Sequence, residues 1–211
     1  AFTGDGTDPK VVEGAAEALK ANGGCGVPTI KPWDMDTIRE KFALVQESEP
    51  FAIAMDIDAA GLPFLQGLTP PAGSKSVEEL KQIVSWAQRP FILKGIMTAR
   101  GAEKALEAGA SGIVVSNHGG RVLDHCPATA EVLPDIVDAV GGKMTIFVDG
   151  AIRRGMDMFK ALALGADAVL IGRPFVTTVY GGGEEGVQLY VQKLKAELAD
   201  TMRMCGAHSL A

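Results

Sequence analysis

Short apolar runs alternate with amphipathic segments along the whole chain, and polar or glycine-rich turns separate them. The runs are rich in valine and isoleucine, which is typical of buried strands. Seven strands are predicted, at residues 1–3, 27–30, 51–55, 91–93, 112–115, 145–148 and 168–171. The first run looks like the end of a strand, so the chain is expected to begin within that strand.

The segments between these runs repeat apolar residues three and four positions apart, which is the spacing of one helix face. Ser76 followed by Glu79 is the signature of a capping box, and Asp34 and Thr98 are expected to cap their own helices. The predicted helices cover residues 8–21, 34–45, 76–87, 98–108, 127–140 and 155–164, with a long one at 187–202 after the glycines at 181–183.

Strands and helices that alternate so regularly predict a parallel sheet covered by helices. The helix–turn–strand unit that begins at 104–110 recurs from 160–166, which supports one repeated architecture. An open doubly wound sheet is the alternative, but no Gly-x-Gly-x-x-Gly motif follows any strand. A closed (β/α)₈ barrel needs eight strands. We therefore predict a single α/β domain over residues 1–211, a TIM barrel that lacks its first strand.

Composition narrows the function classes. The chain has 211 residues, 47% of them hydrophobic, and a net charge of −6. This acidic balance, without a basic run, indicates no nucleic-acid partner, and no apolar run reaches the roughly 18 residues of a membrane span. An odd number of cysteines without metal-ligand spacing predicts neither a disulfide framework nor a metal site, and fits a reducing cytoplasm. The cysteines are Cys25, Cys126 and Cys205.

The loop at residues 116–121, directly after the strand 112–115, is the strongest candidate for chemistry. His118 is the best general base, since imidazole titrates near neutral pH, although a histidine bonded into a turn is the alternative. Arg121 can grip a carboxylate with two parallel hydrogen bonds. Asp56, at another strand end, either orients His118 or caps a turn.

A second candidate centre binds an anion. Lys94 follows the strand 91–93 and is expected to stabilise negative charge on a ligand, unless it extends to solvent. The loops 150–155 and 172–173 follow the last two strands and combine glycines with arginines. In barrels these loops form the usual phosphate site.

These motifs together resemble the FMN-dependent 2-hydroxy-acid oxidases and dehydrogenases, such as lactate oxidase and glycolate oxidase. The string Ser-Asn-His-Gly-Gly-Arg at 116–121 carries most of the resemblance, which extends from about residue 51 to residue 175. Lys94-Gly95, the segment 149–155 and the segment 171–174 complete it. The resemblance implies FMN as cofactor, a small L-2-hydroxy acid as substrate and a homo-oligomer, with a tetramer as the family's usual form.

The resemblance also implies a role for each matching residue. His118 would take a proton from the substrate with support from Asp56, and Arg121 would hold the substrate carboxylate. The remaining matches would contact the flavin: Lys94 at its pyrimidine edge, Ser116 beside it, Asp149 at its ribityl chain, and Gly150, Arg153, Gly172 and Arg173 at its phosphate.

Several positions depart from the family pattern. Lys31 stands where the family has a tyrosine, Ala54 where it has a flavin-contacting threonine, and residues 59–63 lack a second carboxylate-binding arginine. The family's N-terminal region has no counterpart, so the chain is expected to be the C-terminal part of a longer protein. Two alternatives therefore stay open: a non-catalytic flavin- or phosphate-binding barrel, and a barrel with another ligand, as in phosphate-binding isomerases or nucleotide dehydrogenases.

Overall fold

A computed structural model describes residues 1–65 and 67–210. Within them, seven parallel strands form one sheet in which every strand pairs with the next one along the chain. This order never reverses, whereas a doubly wound sheet would reverse it. The strands are β1 (Phe2–Thr3), β2 (Val27–Ile30), β3 (Ile53–Asp56), β4 (Phe91–Ile96), β5 (Gly112–Val115), β6 (Thr145–Val148) and β7 (Ala168–Val169).

A helix follows each strand and crosses back to the start of the next one, as predicted. Ser76 and Glu79 form the expected capping box, and the side chains of Asp34 and Thr98 cap their helices. The helices are α1 (Pro9–Ala21), α2 (Met35–Gln46), α3 (Val77–Ala87), α4 (Ala99–Glu107), α5 (Thr129–Val140), α6 (Gly155–Ala163) and α7 (Arg173–Met204). No helix in the described ranges is long and apolar enough to cross a membrane.

The last helix starts earlier than predicted, and the glycines expected to precede it lie within it. α7 runs from Arg173, directly after β7, and loses helical geometry at Gly182 and Gly183. The run of three glycines therefore interrupts the helix without ending it, because glycine adopts the non-helical angles at little steric cost.

Strand β4 is longer than its apolar run. It continues through Lys94 to Ile96, and its register with β5 shifts between these two residues. Gly95 makes the shift possible with a φ of +101°, and a Cβ at this position would lie 2.6 Å from the Asp58 side chain. The irregularity thus brings β4 close to the chain that leaves β3.

The core has two parts. The larger part lies between sheet and helices and includes Ile53, Met55 and Leu93. The smaller part fills the inner face of the curved sheet. Its members are Val27, Ala52, Ala54, Ile92 and Val114, with Phe2, Phe147 and Leu170 packed against them. Residues of alternate strand positions therefore point either to the helices or to the barrel interior.

Candidate active site

Side-chain alternation explains why the polar residues meet. The residue two positions beyond an inward apolar residue points to the same inner face, now at the carboxyl end of the strand. From Ala54, Ile92 and Val114 this rule leads to the next inward positions, and it applies equally to β2, β6 and β7. The residues so placed are Asp56, Lys94, Ser116, Asp149 and Gly172, and Lys31 lies on the same side, four positions beyond Val27.

A pocket of about 840 Å³ opens at this end of the sheet. It brings together eight of the ten residues predicted for the site. They are Lys94, His118, Arg121, Asp149, Gly150, Arg153, Gly172 and Arg173. The other two, Asp56 and Ser116, are buried and do not line it. The pocket also includes Thr177, Thr178 and Tyr190 of α7, which no sequence motif had indicated.

The turn after β5 fixes His118. Its backbone N–H donates to Ser116 Oγ at 3.1 Å, and Gly119 N–H donates to the Asn117 side chain at 3.1 Å. His118 itself has a φ of +56°, a region that is costly for a residue with a side chain. Gly119 continues in the same region, and a Cβ there would lie 2.6 Å from Arg173 Nη2. The glycine therefore lets Arg173 reach over the loop.

Both ring nitrogens of His118 have partners, and these determine its tautomer. Nδ1 lies 3.0 Å from Asp58 Oδ2, and Nε2 lies 2.7 Å from Arg121 Nη2. A guanidinium can only donate hydrogen bonds, so Nε2 accepts and the neutral ring carries its proton on Nδ1. The basic lone pair of His118 on Nε2 therefore faces Arg121. The Nδ1–H of the ring donates a hydrogen bond to Asp58.

Asp58, rather than the expected Asp56, is the carboxylate that accepts the hydrogen bond from His118, although an oxygen of Asp56 stays within 4.8 Å of a ring nitrogen. Asp56 Oδ2 accepts a hydrogen bond from Lys31 Nζ at 3.1 Å, and Asp58 takes the place beside the imidazole. Asp58 lies in the short 3₁₀ helix Ile57–Gly61 that leaves β3, and this turn directs it back to the pocket. Both acids lie close together in the sequence. Which of them bonds to His118 depends on this turn.

Burial has a strong effect on Asp56. Desolvation raises the pKa of its carboxyl above the ordinary value, while the charges of Lys31 and Lys94 and the hydrogen bond from Lys31 act in the opposite direction. The carboxylate thus relies on its cationic neighbours to stay ionised.

Several buried polar atoms of the site have no hydrogen-bond partner among the described residues. They are Asp56 Oδ1, Asp58 Oδ1, Lys94 Nζ and Asp149 Oδ1. Lys94 Nζ lies 3.8 Å from Asp149 Oδ2, which is an ion pair but too long for a hydrogen bond. Unpartnered buried polar groups are costly, so this concentration of them indicates a polar ligand.

The start of α7 is better suited to binding an anion than the start of α6. The Asp157 side chain accepts from the backbone N–H groups of Arg153 and Arg154, both at 3.0 Å, and so already caps α6. The N-cap of α7, Gly172, has no side chain to cap the helix, and Arg173 follows as its first residue. The start of α7 therefore presents the Arg173 guanidinium, which is suited to phosphate. Pro174 has no N–H, and the Phe175 N–H donates to Gly172 O at 3.0 Å.

Three side chains have the spacing of a metal site, since one possible ligand atom each of Asp56, Asp58 and His118 lies within 4.8 Å of the others. Lys31 and Arg121, however, already hold Asp56 Oδ2 and His118 Nε2. Two cations on these atoms repel a third. An organic ligand that accepts and donates hydrogen bonds suits this pocket better.

Known proteins resemble the chain over most of its length. A family model described as FMN-dependent dehydrogenase matches residues 45–211. A peroxisomal (S)-2-hydroxy-acid oxidase of Oryza sativa subsp. japonica is 48% identical over 143 residues, which are 68% of this chain and 38% of that protein. A peroxisomal (S)-2-hydroxyacid oxidase of Arabidopsis thaliana is 48% identical over 136 residues, 64% of this chain and 37% of its own length. The chain thus spans less than two fifths of these relatives.

Solved structures agree with the barrel. A mandelate oxidase variant with 2-hydroxy-phenylacetamide superposes with a TM-score of 0.84 at 32% identity, over 92% of this chain and 63% of its own. A lactate oxidase of Pediococcus acidilactici superposes with a TM-score of 0.82 at 28% identity, over 99% and 72%. A second mandelate oxidase variant, with a TM-score of 0.82 at 34% identity over 92% of this chain and 63% of its own, carries an FMN adduct. These likenesses confirm the prediction of an incomplete barrel.

Proposed function

Since the chain belongs to the family of FMN-dependent dehydrogenases, we propose that it binds FMN and oxidises a small L-2-hydroxy acid to the 2-oxo acid. The observation that carries the proposal is His118, a neutral base whose Nε2 lone pair faces Arg121 at 2.7 Å. A proton acceptor and a carboxylate-binding cation thus stand side by side. A 2-hydroxy acid presents the two groups that they need, a carboxylate and a hydroxyl on the adjacent carbon.

The residues of the pocket fit FMN. Lys94 Nζ is buried, has no hydrogen-bond partner among the described residues and would meet the pyrimidine edge of the flavin, while Asp149 Oδ1 would accept from the ribityl chain. The phosphate would lie at the start of α7 with Arg153, Gly172 and Arg173. FMN, when bound, accepts the two electrons that the substrate loses.

The protein's own groups would handle the proton. His118 Nε2 takes it from the substrate, and Asp58, 3.0 Å from Nδ1, stabilises the imidazolium that results. Arg121 must first leave Nε2, because both cannot use the same lone pair. The substrate carboxylate would draw Arg121 away from the ring, because it offers the guanidinium two charge-assisted hydrogen bonds in place of one to a neutral ring.

The proposed reaction predicts a spectral change. FMN-loaded protein mixed anaerobically with L-lactate, glycolate or L-mandelate should lose its visible flavin absorbance, because the flavin becomes reduced. D-lactate serves as the control for stereochemistry and should leave the spectrum unchanged. Bound FMN that none of these acids bleaches would contradict the proposal and support the alternative, a non-catalytic flavin-binding barrel.

The phosphate site predicts an effect on cofactor affinity. We expect Arg173→Gln to weaken FMN binding about 10- to 100-fold, because one charge-assisted hydrogen bond contributes about 1.5–3 kcal/mol. Quenching of flavin fluorescence measures the dissociation constant. Riboflavin, which lacks the phosphate, should bind the variant and the original protein equally. Arg154→Gln is the matched control, since Arg154 is exposed and does not line the pocket.

We propose, in addition, a homo-oligomer, for which the family resemblance suggests a tetramer. Exposed apolar side chains on α7 support an assembly: Val176, Val179, Tyr180 and Leu189. Light scattering of the purified protein measures the oligomeric state. The cytoplasm stays the proposed compartment, supported by free thiols at Cys25, Cys126 and Cys205; cell fractionation tests it against the peroxisome of the plant relatives.

A further inference from the structure

Two carboxylates leave the end of β3 two residues apart, and each has a different partner. Asp56 Oδ2 lies 3.1 Å from Lys31 Nζ, whereas Asp58 Oδ2 lies 3.0 Å from His118 Nδ1. We infer that Lys31 gives the two carboxylates different roles. It holds Asp56 in an ion pair, so that Asp58 is the carboxylate that orients the base. Lys31 and Asp58 are thus positioning residues. The inference rests on the proposed function of His118.

Lys31 is held in place by more than this ion pair. Its backbone N–H donates to Asp5 Oδ2 at 2.9 Å, and Trp33 Nε1 donates to the same oxygen at 2.7 Å. Lys41 Nζ lies 2.7 Å from the other oxygen of Asp5. Lys31 is itself only 8% exposed. Its ammonium is therefore a fixed, buried group that points at Asp56, unlike a lysine that extends to solvent.

The pocket needs such a cation because two acids face one imidazole. One oxygen of each carboxylate lies within 4.8 Å of a His118 ring nitrogen. Burial favours the protonated form of Asp56, and Lys31 provides the largest opposing charge. A protonated Asp56 would become a hydrogen-bond donor and could offer its proton to the imidazole. With Lys31 in contact, Asp56 is an acceptor whose charge is balanced locally.

Asp58 has the geometry of a dedicated partner. The 3₁₀ helix Ile57–Gly61 turns it toward His118, and the absence of a side chain at Gly95 leaves room for its carboxylate. The other charged group in contact with the imidazole is Arg121, with Arg173 close to the same loop at Gly119. Both are cations, so within this part of the described chain Asp58 is the anion that bonds the ring.

The first test compares two matched substitutions in FMN-loaded protein. Asp58→Asn should lower the rate of flavin reduction by a 2-hydroxy acid about 100-fold or more, because the ring loses the carboxylate that stabilises its positive charge. Asp56→Asn should lower it less than about tenfold. Lys31→Arg should stay close to the original rate, since it keeps the cation. An equal or larger loss in Asp56→Asn would overturn the division of roles.

A second readout does not depend on turnover. The ¹⁵N chemical shifts of His118 report its tautomer, and the chain has only three histidines, so His118→Gln identifies the signal. We expect the Nδ1 shift to be the same in the original protein and in Asp56→Asn and to change in Asp58→Asn, because Asp58 is the carboxylate that accepts from Nδ1–H. Arg121 keeps the proton on Nδ1 in all three proteins. Unchanged shifts in Asp58→Asn would contradict the assignment. If no hydroxy acid reduces the flavin, the proposed reaction fails, but these shifts still decide which carboxylate holds the ring.

Discussion

Replacing His118 with glutamine is expected to lower the rate of flavin reduction by about 10²–10⁴-fold while FMN stays bound, since this range is what a general base contributes. Glutamine has a similar reach but cannot take up a proton. The groups proposed to hold the flavin, Lys94 and Arg173, remain in place. Rapid-mixing absorbance of the bound flavin under anaerobic conditions measures the rate, and the visible spectrum before mixing shows that the cofactor is retained.

His125→Gln is the matched control for this substitution. His125 lies in the same loop region, but its side chain is 95% exposed and it pairs with Asp124, whose side chain is 91% exposed. The rate of flavin reduction should not change. A His118→Gln variant that reduces its flavin at the original rate would show that another group takes the proton, and the proposed mechanism would be wrong.

Much of the fold could be predicted because it follows from local pattern. Strand length, valine and isoleucine content and the alternation with helices define seven parallel strands, and side-chain alternation carries the polar residues after Ala54, Ile92 and Val114 to one end of the sheet. Of the eight predicted site residues that line one pocket, this rule places Lys94, Asp149 and Gly172, and the other five lie in the loops that follow the same strand ends. The alternation of side chains along a strand depends only on the strand itself, so it can be predicted without knowing which distant residues are in contact.

The partner of His118 could not be predicted in the same way. Asp56 is the strand-end residue and satisfies the alternation rule, yet Asp58 makes the contact. The outcome depends on a 3₁₀ turn after β3, on the room that Gly95 leaves in a neighbouring strand, and on a lysine 25 residues upstream that occupies Asp56. Each of these is a contact between separate elements, and no local spacing encodes it.

The phosphate site shows a smaller failure of the same kind. The arginines and glycines of both loops were recognised, but the two helix starts were treated as equivalent. Asp157 caps α6 through the N–H groups of Arg153 and Arg154, whereas no described side chain caps α7. An acid three residues into a helix is a capping signal that the sequence does show.

The role of Asp5 could not be predicted from the sequence, because none of the side chains that it binds lies near it along the chain. It follows β1 in a loop between two glycines, where an aspartate usually caps a turn. Its partners lie 26, 28 and 36 residues further along the chain, at Lys31, Trp33 and Lys41. The side chain is fully buried. This cluster joins β1 to the chain after β2 and to α2, and it fixes the backbone from which Lys31 reaches Asp56.

We therefore expect Asp5→Ala to lower the free energy of unfolding by about 3–5 kcal/mol, the usual cost when one partner of a buried ion pair is removed. The substitution leaves the Lys41 ammonium buried without its anion and the Trp33 indole N–H without its acceptor. Urea unfolding followed by tryptophan fluorescence measures the change, and an unaltered slope shows that the unfolding transition is otherwise the same.

Asp8→Ala provides the comparison for Asp5→Ala. Asp8 lies three residues further along, but it is exposed and caps α1 through a single bond to Lys10 N–H at 3.0 Å. Removing this cap should lower the free energy of unfolding by only about 1 kcal/mol. Equal effects of the two substitutions would mean that the buried cluster contributes no more than a helix cap. A much larger effect at Asp5, accompanied by slower flavin reduction in the folded protein, would show that the same cluster supports the fold and the placement of Lys31.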